Sequence, residues 1–258
     1  MRVTCLAENT ACSDAFGCEH GLSLYIETSG ARILFDMGQT TLFAENAGRL
    51  GIDLAAVDFA VLSHGHNDHG GGLGHFLALN ASAPVYLHPD AFTPHFGRTG
   101  RDIGLDPALR DHPRLHFVER ETVIAPGIGL YGAALLPETV PVDSAGQTVL
   151  RGGARLPEDY CHEQYLLIEE AGRWVLFSGC SHRGIENIVA CFSPDVLVGG
   201  FHFSHRPLDD ALSAAAARLA SGGTVYYTCH CTGDAQFAWM RTQMPHLHRL
   251  SGGQCVEI

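Results

Sequence analysis

Short apolar runs recur along the chain, each cut off by a polar cluster that contains glycine, and this pattern predicts strands. In the N-terminal third, residues 3–7, 22–28 and 32–35 read as strands. Five times a run of the buried type passes straight into a polar loop: ILFDMG (33–38), VLSHGH (61–66), VLFSGCSH (175–182), VLVGGFH (196–202) and VYYTCHC (225–231). Continuous apolar runs suit strands covered on both faces. Three of these loops lead into predicted helices at 72–79, 184–192 and 234–242, and a further helix over 208–219 follows His202. In layered α/β folds, chemistry collects outside the carboxyl ends of strands. Here all five ends carry Asp, His or Cys.

The stretch from about 88 to 157 is the least regular, rich in proline, glycine and arginine. It is expected to hold a short helix, some strands and a loop near the site, as an insertion or lid within a single domain spanning 1–258. Within it, GIGLYGAAL lacks the register of a dinucleotide-binding loop and reads as a strand with a bulge at 131–133.

Composition narrows the function classes. The 258 residues are 46% hydrophobic and 17% charged, as in a compact globular protein. A formal charge of −12 with no basic block argues against nucleic-acid binding. All 16 basic residues are arginine, and the absence of lysine excludes Schiff-base catalysis and the P-loop lysine. No run reaches the roughly 18 apolar residues of a membrane span, and the opening MRVTCLAENT lacks a signal-peptide core. Nine cysteines without framework spacing suit reduced thiols. The expectation is a cytoplasmic protein acting on a small molecule, with neither nucleic-acid nor membrane partners; a homo-oligomer is left open.

The strongest local signal is SHGHNDHGGGL (63–73), with three histidines and an aspartate inside six positions directly after an apolar strand. Neutral imidazole and carboxylate are ligands of choice for zinc and similar ions. In a tight-turn backbone His64 and His66 can point to one side while Asp68 and His69 reach a neighbouring position, so one segment can feed two ions. Gly70 to Gly72 allow a sharp turn and close approach of the next helix.

H-x-H-x-D-H after an apolar strand, with an upstream strand ending in Asp36, resembles the metallo-β-lactamase superfamily. ENTAC (8–12), EHGLSLYIET (19–28), ILFDMGQ, HEQYLLI (162–168), FSGCSHRGIENI (177–188), GGFHF (199–203) and CHCTG (229–233) resemble one branch of it. That branch includes an archaeal dihydropterin–ribofuranosylaminobenzene phosphate synthase and related bacterial metallohydrolases. The resemblance implies an α/β (α+β) fold, a four-layer αβ/βα sandwich, with a dinuclear site along one edge of the sheets. His64 and His66 would hold one of two divalent ions, zinc first, with Mn2+ or Fe2+ as alternatives. Asp68, His69 and the late histidine, His230, would hold the other. Asp36 would orient ligands.

Cys180 stands where most members carry a bridging aspartate, and His182 follows two residues on; either could ligate. His162 is the other candidate for the middle histidine of the family, or else a lid or supporting residue. His202 reads as substrate-facing, and Arg183 as a phosphate contact or a surface ion-pair partner. Glu8, Asn9 and His20 are candidates for the rim. The remaining histidines, His95 and His205 among them, read as ordinary. The implied activity is hydrolysis of a small phosphoester or acyl-type substrate by metal-bound hydroxide, with Asp68 orienting the nucleophile or taking its proton. The rival readings are a pterin-type transferase on the same metals and a ligand-binding member without catalysis. A di-iron redox site is disfavoured by His66, which such members usually replace by glutamate.

Overall fold

The computed structural model describes residues 1–258, and its architecture follows from strands that are apolar on both faces. One seven-stranded sheet runs in the order Cys255–Glu257, Arg2–Ala7, Ser23–Glu27, Arg32–Phe35, Phe59–Val61, Val85–Leu87, Leu115–Phe117. A second runs Leu247–Arg249, Val225–Thr228, Val196–Gly199, Arg173–Ser178, Gln164–Glu170, Ile128–Gly132, Glu121–Ala125.

Alternating side chains of each strand go to two different layers. Ile33 and Phe35 meet Phe177, Val196 and Val198 between the sheets. Leu34 faces the opposite way, onto Phe43 and Phe76 of helices Leu42–Leu50 and Leu73–Leu79. On the second sheet Leu176 and Leu197 turn outward onto Ile188, Leu212 and Met240. These belong to helices Ile185–Phe192, Asp210–Ala220 and Asp234–Arg241. Three apolar interfaces thus separate four layers: helix, sheet, sheet, helix.

From Arg32–Phe35 through Phe59–Val61 and Val85–Leu87 to Leu115–Phe117 the pairing is parallel, as it is from Arg173–Ser178 to Leu247–Arg249. The carboxyl ends that carry Asp36, His64, Cys180, His202 and His230 therefore come to one edge of the sandwich.

The irregular segment expected as an insertion or lid over about 88–157 is partly built into this frame. Leu115–Phe117 closes the first sheet, and the hairpin Glu121–Ala125 with Ile128–Gly132 closes the second. The expected bulge lies earlier, between Val123 and Ala125, where register shifts. The remainder forms 3-10 turns and a three-stranded sheet of His95–Phe96, Thr148–Arg151 and Ala154–Pro157. The helix expected at 208–219 begins at Asp210, because the Asp209 carboxylate caps it by accepting from the Leu212 N–H. No helix is long and apolar enough to cross a membrane.

Candidate metal centre

Asp36 ends its strand fully buried, at φ 60°, and its carboxylate organises the site. One oxygen accepts the Ser63 N–H at 2.7 Å; the other accepts the Ser63 hydroxyl at 2.7 Å and His69 Nδ1–H at 2.7 Å. Because the single Ser63 proton goes to Asp36, Ser63 Oγ accepts from His64 Nδ1 at 2.8 Å. Both imidazoles are thereby fixed with Nδ1 donating, which leaves Nε2 as the nitrogen aimed at an ion. His230 is fixed the same way, its Nδ1 donating to Asn9 Oδ1 at 2.8 Å while its own N–H donates to buried Glu8. Glu8 and Asn9, expected at the rim, hold a candidate ligand instead.

These nitrogens converge in two neighbouring sets. Asp68, His69, Cys180 and His230 form one, and His64, His66 and His182 the other, with each set's donor atoms within 4.8 Å of one another. The sets touch: the rings of His64 and His69 lie 4.2 Å apart. In the first, His69 Nε2 stands 3.1 Å from Cys180 Sγ and 3.3 Å from His230 Nε2, and Asp68 Oδ2 is 3.3 Å from His230 Nε2. Neighbouring ligands of a tetrahedral zinc stand about 3.3 Å apart.

In the second set, His64 Nε2, His66 Nε2 and both ring nitrogens of His182 are buried without a hydrogen-bond partner. Orphaned buried donors of this kind are costly unless something outside the chain satisfies them. Cys180 and His182, alternatives in the sequence, lie in different sets.

Electrostatics separates the two. Burial, reinforced by neighbouring imidazoles, holds His64 and His182 well below their ordinary pKa, and burial pushes His66 down to about 3, so their lone pairs are free at neutral pH. Burial also opposes a charge on His69, but Asp36 and Asp68 outweigh it and lift its pKa to about 9. Burial alone would raise Asp68, yet His69, His20 and His230 hold it well below the usual carboxylate range. The first set attracts positive charge, whether proton or metal ion.

A third group backs His66. His95, Glu158 and His162 are buried, with the His95 and His162 rings stacked at 4.1 Å. Their donor atoms also lie close enough for an ion. However, Glu158 Oε2 is 2.6 Å from His95 Nδ1, a hydrogen bond shorter than the ~3.3 Å between tetrahedral ligands. His162 Nδ1 accepts the N–H of Gly65 at 2.8 Å, which pins the loop between His64 and His66. His162 thus braces the H-x-H turn through Nδ1, its Nε2 being buried without a partner, while His182 lies within the set of His64 and His66.

Sequence reading passed over His95, Glu158, Ser63 and Glu163. Glu163 is buried and accepts the N–H groups of His182 (2.7 Å) and Arg183 (3.0 Å), which sets the loop carrying His182. Only the acidic run EDYCHEQ offered a signal.

A cleft of about 230 Å³ opens over both sets, lined by His66, Asp68, Cys180, His182, His202 and His230 among others. His202, at φ 55°, belongs to neither set; its ring packs 4.2 Å from that of His182. Burial, then His205 and His230, lower its pKa to about 4. His20, at the rim, reaches Asp68 at 3.3 Å. Arg183 turns away: its guanidinium donates to the Asp159 carbonyl at 3.0 Å, and it does not line the cleft. Cys231 Sγ is held by the Cys180 carbonyl and the His202 N–H, and Cys229 lies in the core between the sheets.

The chain is 29% identical over 237 residues to an uncharacterised protein of Methanocaldococcus jannaschii, covering 88% of this chain and 89% of that one. It is 28% identical over 290 aligned positions to the 7,8-dihydropterin-6-methyl-4-(beta-D-ribofuranosyl)-aminobenzene-5'-phosphate synthase of the same organism, covering 100% and 97%. The structure of a metal-dependent hydrolase of the beta-lactamase superfamily, Tm1679, superposes with a TM-score of 0.87 at 29% identity, covering 100% of this chain and 99% of that one. The metallo-beta-lactamase superfamily pattern itself matches residues 16–220. With four layers, histidines at the strand ends of one edge and this match over most of its length, the chain belongs to the metallo-beta-lactamase superfamily.

Proposed function

We propose that the protein is a metal-dependent hydrolase, with two zinc ions side by side, that acts on a small phosphoester or acyl-type substrate. The observation that carries this reading is the pair of adjacent donor sets under one cleft, with buried imidazole nitrogens that have no partner within the chain. His64, His66 and His182 would hold one ion, and Asp68, His69, Cys180 and His230 the other. Ions there would supply an acidified water and a Lewis acid for a substrate oxygen.

The chain's own residues do the rest. Asp36 keeps one ligand of each ion in a single tautomer. Asp68, open to the cleft and bonded to His20, is placed to orient a water or accept its proton. His202 is neutral at physiological pH and can offer an N–H to an oxygen that gains charge. Nine free cysteines suit a reducing, cytoplasmic setting.

The test is a screen of the zinc-loaded protein over phosphodiesters, phosphomonoesters, lactones and thioesters. Turnover of one class is expected, with loss of metal and activity in His64→Ala and His69→Ala. Full activity in protein shown to be metal-free would overturn the reading.

The 28% identity to the synthase over the whole chain favours one alternative, transfer of a pterin-type group with the ions aiding departure of a diphosphate. Reaction in 18O-labelled water separates the two. Hydrolysis places the label in product; coupling of a dihydropterin diphosphate to an aromatic acceptor does not.

A further inference from the structure

The metal cleft continues into a second lobe of about 320 Å³, which shares His182, His202 and His205 with the first. One wall is apolar, with Val140, Pro141 and Phe203, and two guanidinium groups, Arg98 and Arg206, stand beside it.

Five of the 16 arginines pair with a carboxylate, and these two are among the eleven that do not. With a formal charge of −12, carboxylates are plentiful, and Arg2, Arg49, Arg151, Arg218 and Arg249 each pair with one. Arg98 and Arg206 have no carboxylate oxygen within 4.0 Å, nor has Arg101 in the metal lobe. The second lobe is also lined by two acids, and neither pairs with Arg98 or Arg206. Glu186 is bound by Arg218, and Asp143 accepts the N–H of Ala145 at 2.9 Å.

Both arginines are solvent-exposed, and each rests against a neighbour. The Arg206 guanidinium lies 4.1 Å over the Phe203 ring. The Arg98 stem packs against Gly146, where even a Cβ would come within 3.0 Å of Arg98 Cγ. Guanidinium forks beside an apolar wall and without a carboxylate partner suit an anionic ligand group. Part-burial and then the charge of Arg98 also lower the pKa of His205.

We propose that the second lobe is a substrate subsite for a remote anionic group. The reacting centre faces the two donor sets, a flat or apolar middle lies along Val140 and Pro141, and a distal carboxylate or phosphate meets Arg98 and Arg206. This assignment rests on the metallohydrolase reading and narrows its substrates to elongated anions charged at both ends.

The experiment compares phenyl phosphate with 4-carboxyphenyl phosphate, which differ only in the remote anion, by calorimetry on metal-loaded protein. Wild type is expected to bind the carboxylated ester about tenfold more tightly. In Arg98→Ala/Arg206→Ala the ratio falls to about one, with metal content and phenyl phosphate binding unchanged; Arg241→Ala, a distant arginine, keeps the ratio. Equal binding of the two esters by wild type, or a tenfold ratio that survives in the double variant, overturns the subsite alone. Failure of metal-loaded protein to bind either ester overturns the subsite and counts against phosphoester hydrolysis itself.

Discussion

Asp36 shows how much one buried carboxylate can fix: through Ser63 and directly, it sets the tautomers of His64 and His69, one in each donor set. Asp36→Asn removes an acceptor from both chains and is expected to weaken metal binding by about 10- to 100-fold, read by competition with a chelator. Unchanged affinity would mean that Asp36 is only structural. Cys180 offers a spectroscopic test of the second set. With cobalt in place of zinc, native protein should show a thiolate charge-transfer band that Cys180→Ser lacks; a band shared by both would place the thiolate elsewhere. His202→Ala should keep its metal content while kcat falls by about 100-fold or more. Loss of one ion in that variant would make His202 a ligand. At this scale the sequence was most legible where residues are close in the chain. His64, His66, Asp68 and His69 announce themselves within six positions. His95 and Glu158, 63 residues apart, meet through the pairing of the three-stranded sheet, and nothing local marks His95.

Strand ends position these residues, and the backbone is under load there. Asp36, Ser181, His202 and His230 all take left-handed φ angles between 49° and 60°. The left-handed region costs a non-glycine residue about 1–2 kcal/mol, so its recurrence at the site edge marks turns that the side chains require. Gly179 lies at the junction of the two sheets, where an added Cβ would run into Ser63 Oγ and come within 3.2 Å of Asp36 Oδ2. Gly179→Ala is therefore expected to disturb the Asp36–Ser63–His64 chain and to lower metal affinity at least tenfold with the fold retained, checked by chelator competition and circular dichroism. Wild-type affinity would show that the junction yields. The strands over 3–7, 22–28 and 32–35 and the helices over 72–79, 184–192, 208–219 and 234–242 were readable from sequence to within a few residues because each is covered on both faces or on one stripe. Helix Leu42–Leu50 and the edge strands Leu247–Arg249 and Cys255–Glu257 went unpredicted. The segment from 88 to 157 was not readable either: its 3-10 turns and two- to five-residue strands are too short to carry a period. Its contribution to both large sheets depends on pairing partners far along the chain.

For the whole molecule, clustering of histidines couples stability to pH. In metal-free protein His64, His162 and His182 sit well below the ordinary 6.5, His66 near 3 and His202 near 4. Below about pH 6.5 the unfolded chain binds more protons than the fold, so stability should fall as pH drops toward 5, by up to about 1.4 kcal/mol per pH unit for each histidine. His69, raised to about 9, acts in the opposite sense: its contribution is full below 6.5 and is lost as pH rises through 9. Tm of metal-free protein should therefore pass through a maximum near neutrality, whereas a flat profile below pH 6.5 would deny that these imidazoles are buried neutral. The same account requires two separable metal positions. The measurement that tests it most directly is zinc stoichiometry by elemental analysis after equilibration in a zinc buffer, on wild type, His182→Ala and Cys180→Ser. Two equivalents in wild type and close to one in each variant are expected; a single equivalent in wild type, or two that survive both substitutions, would contradict the two-set centre.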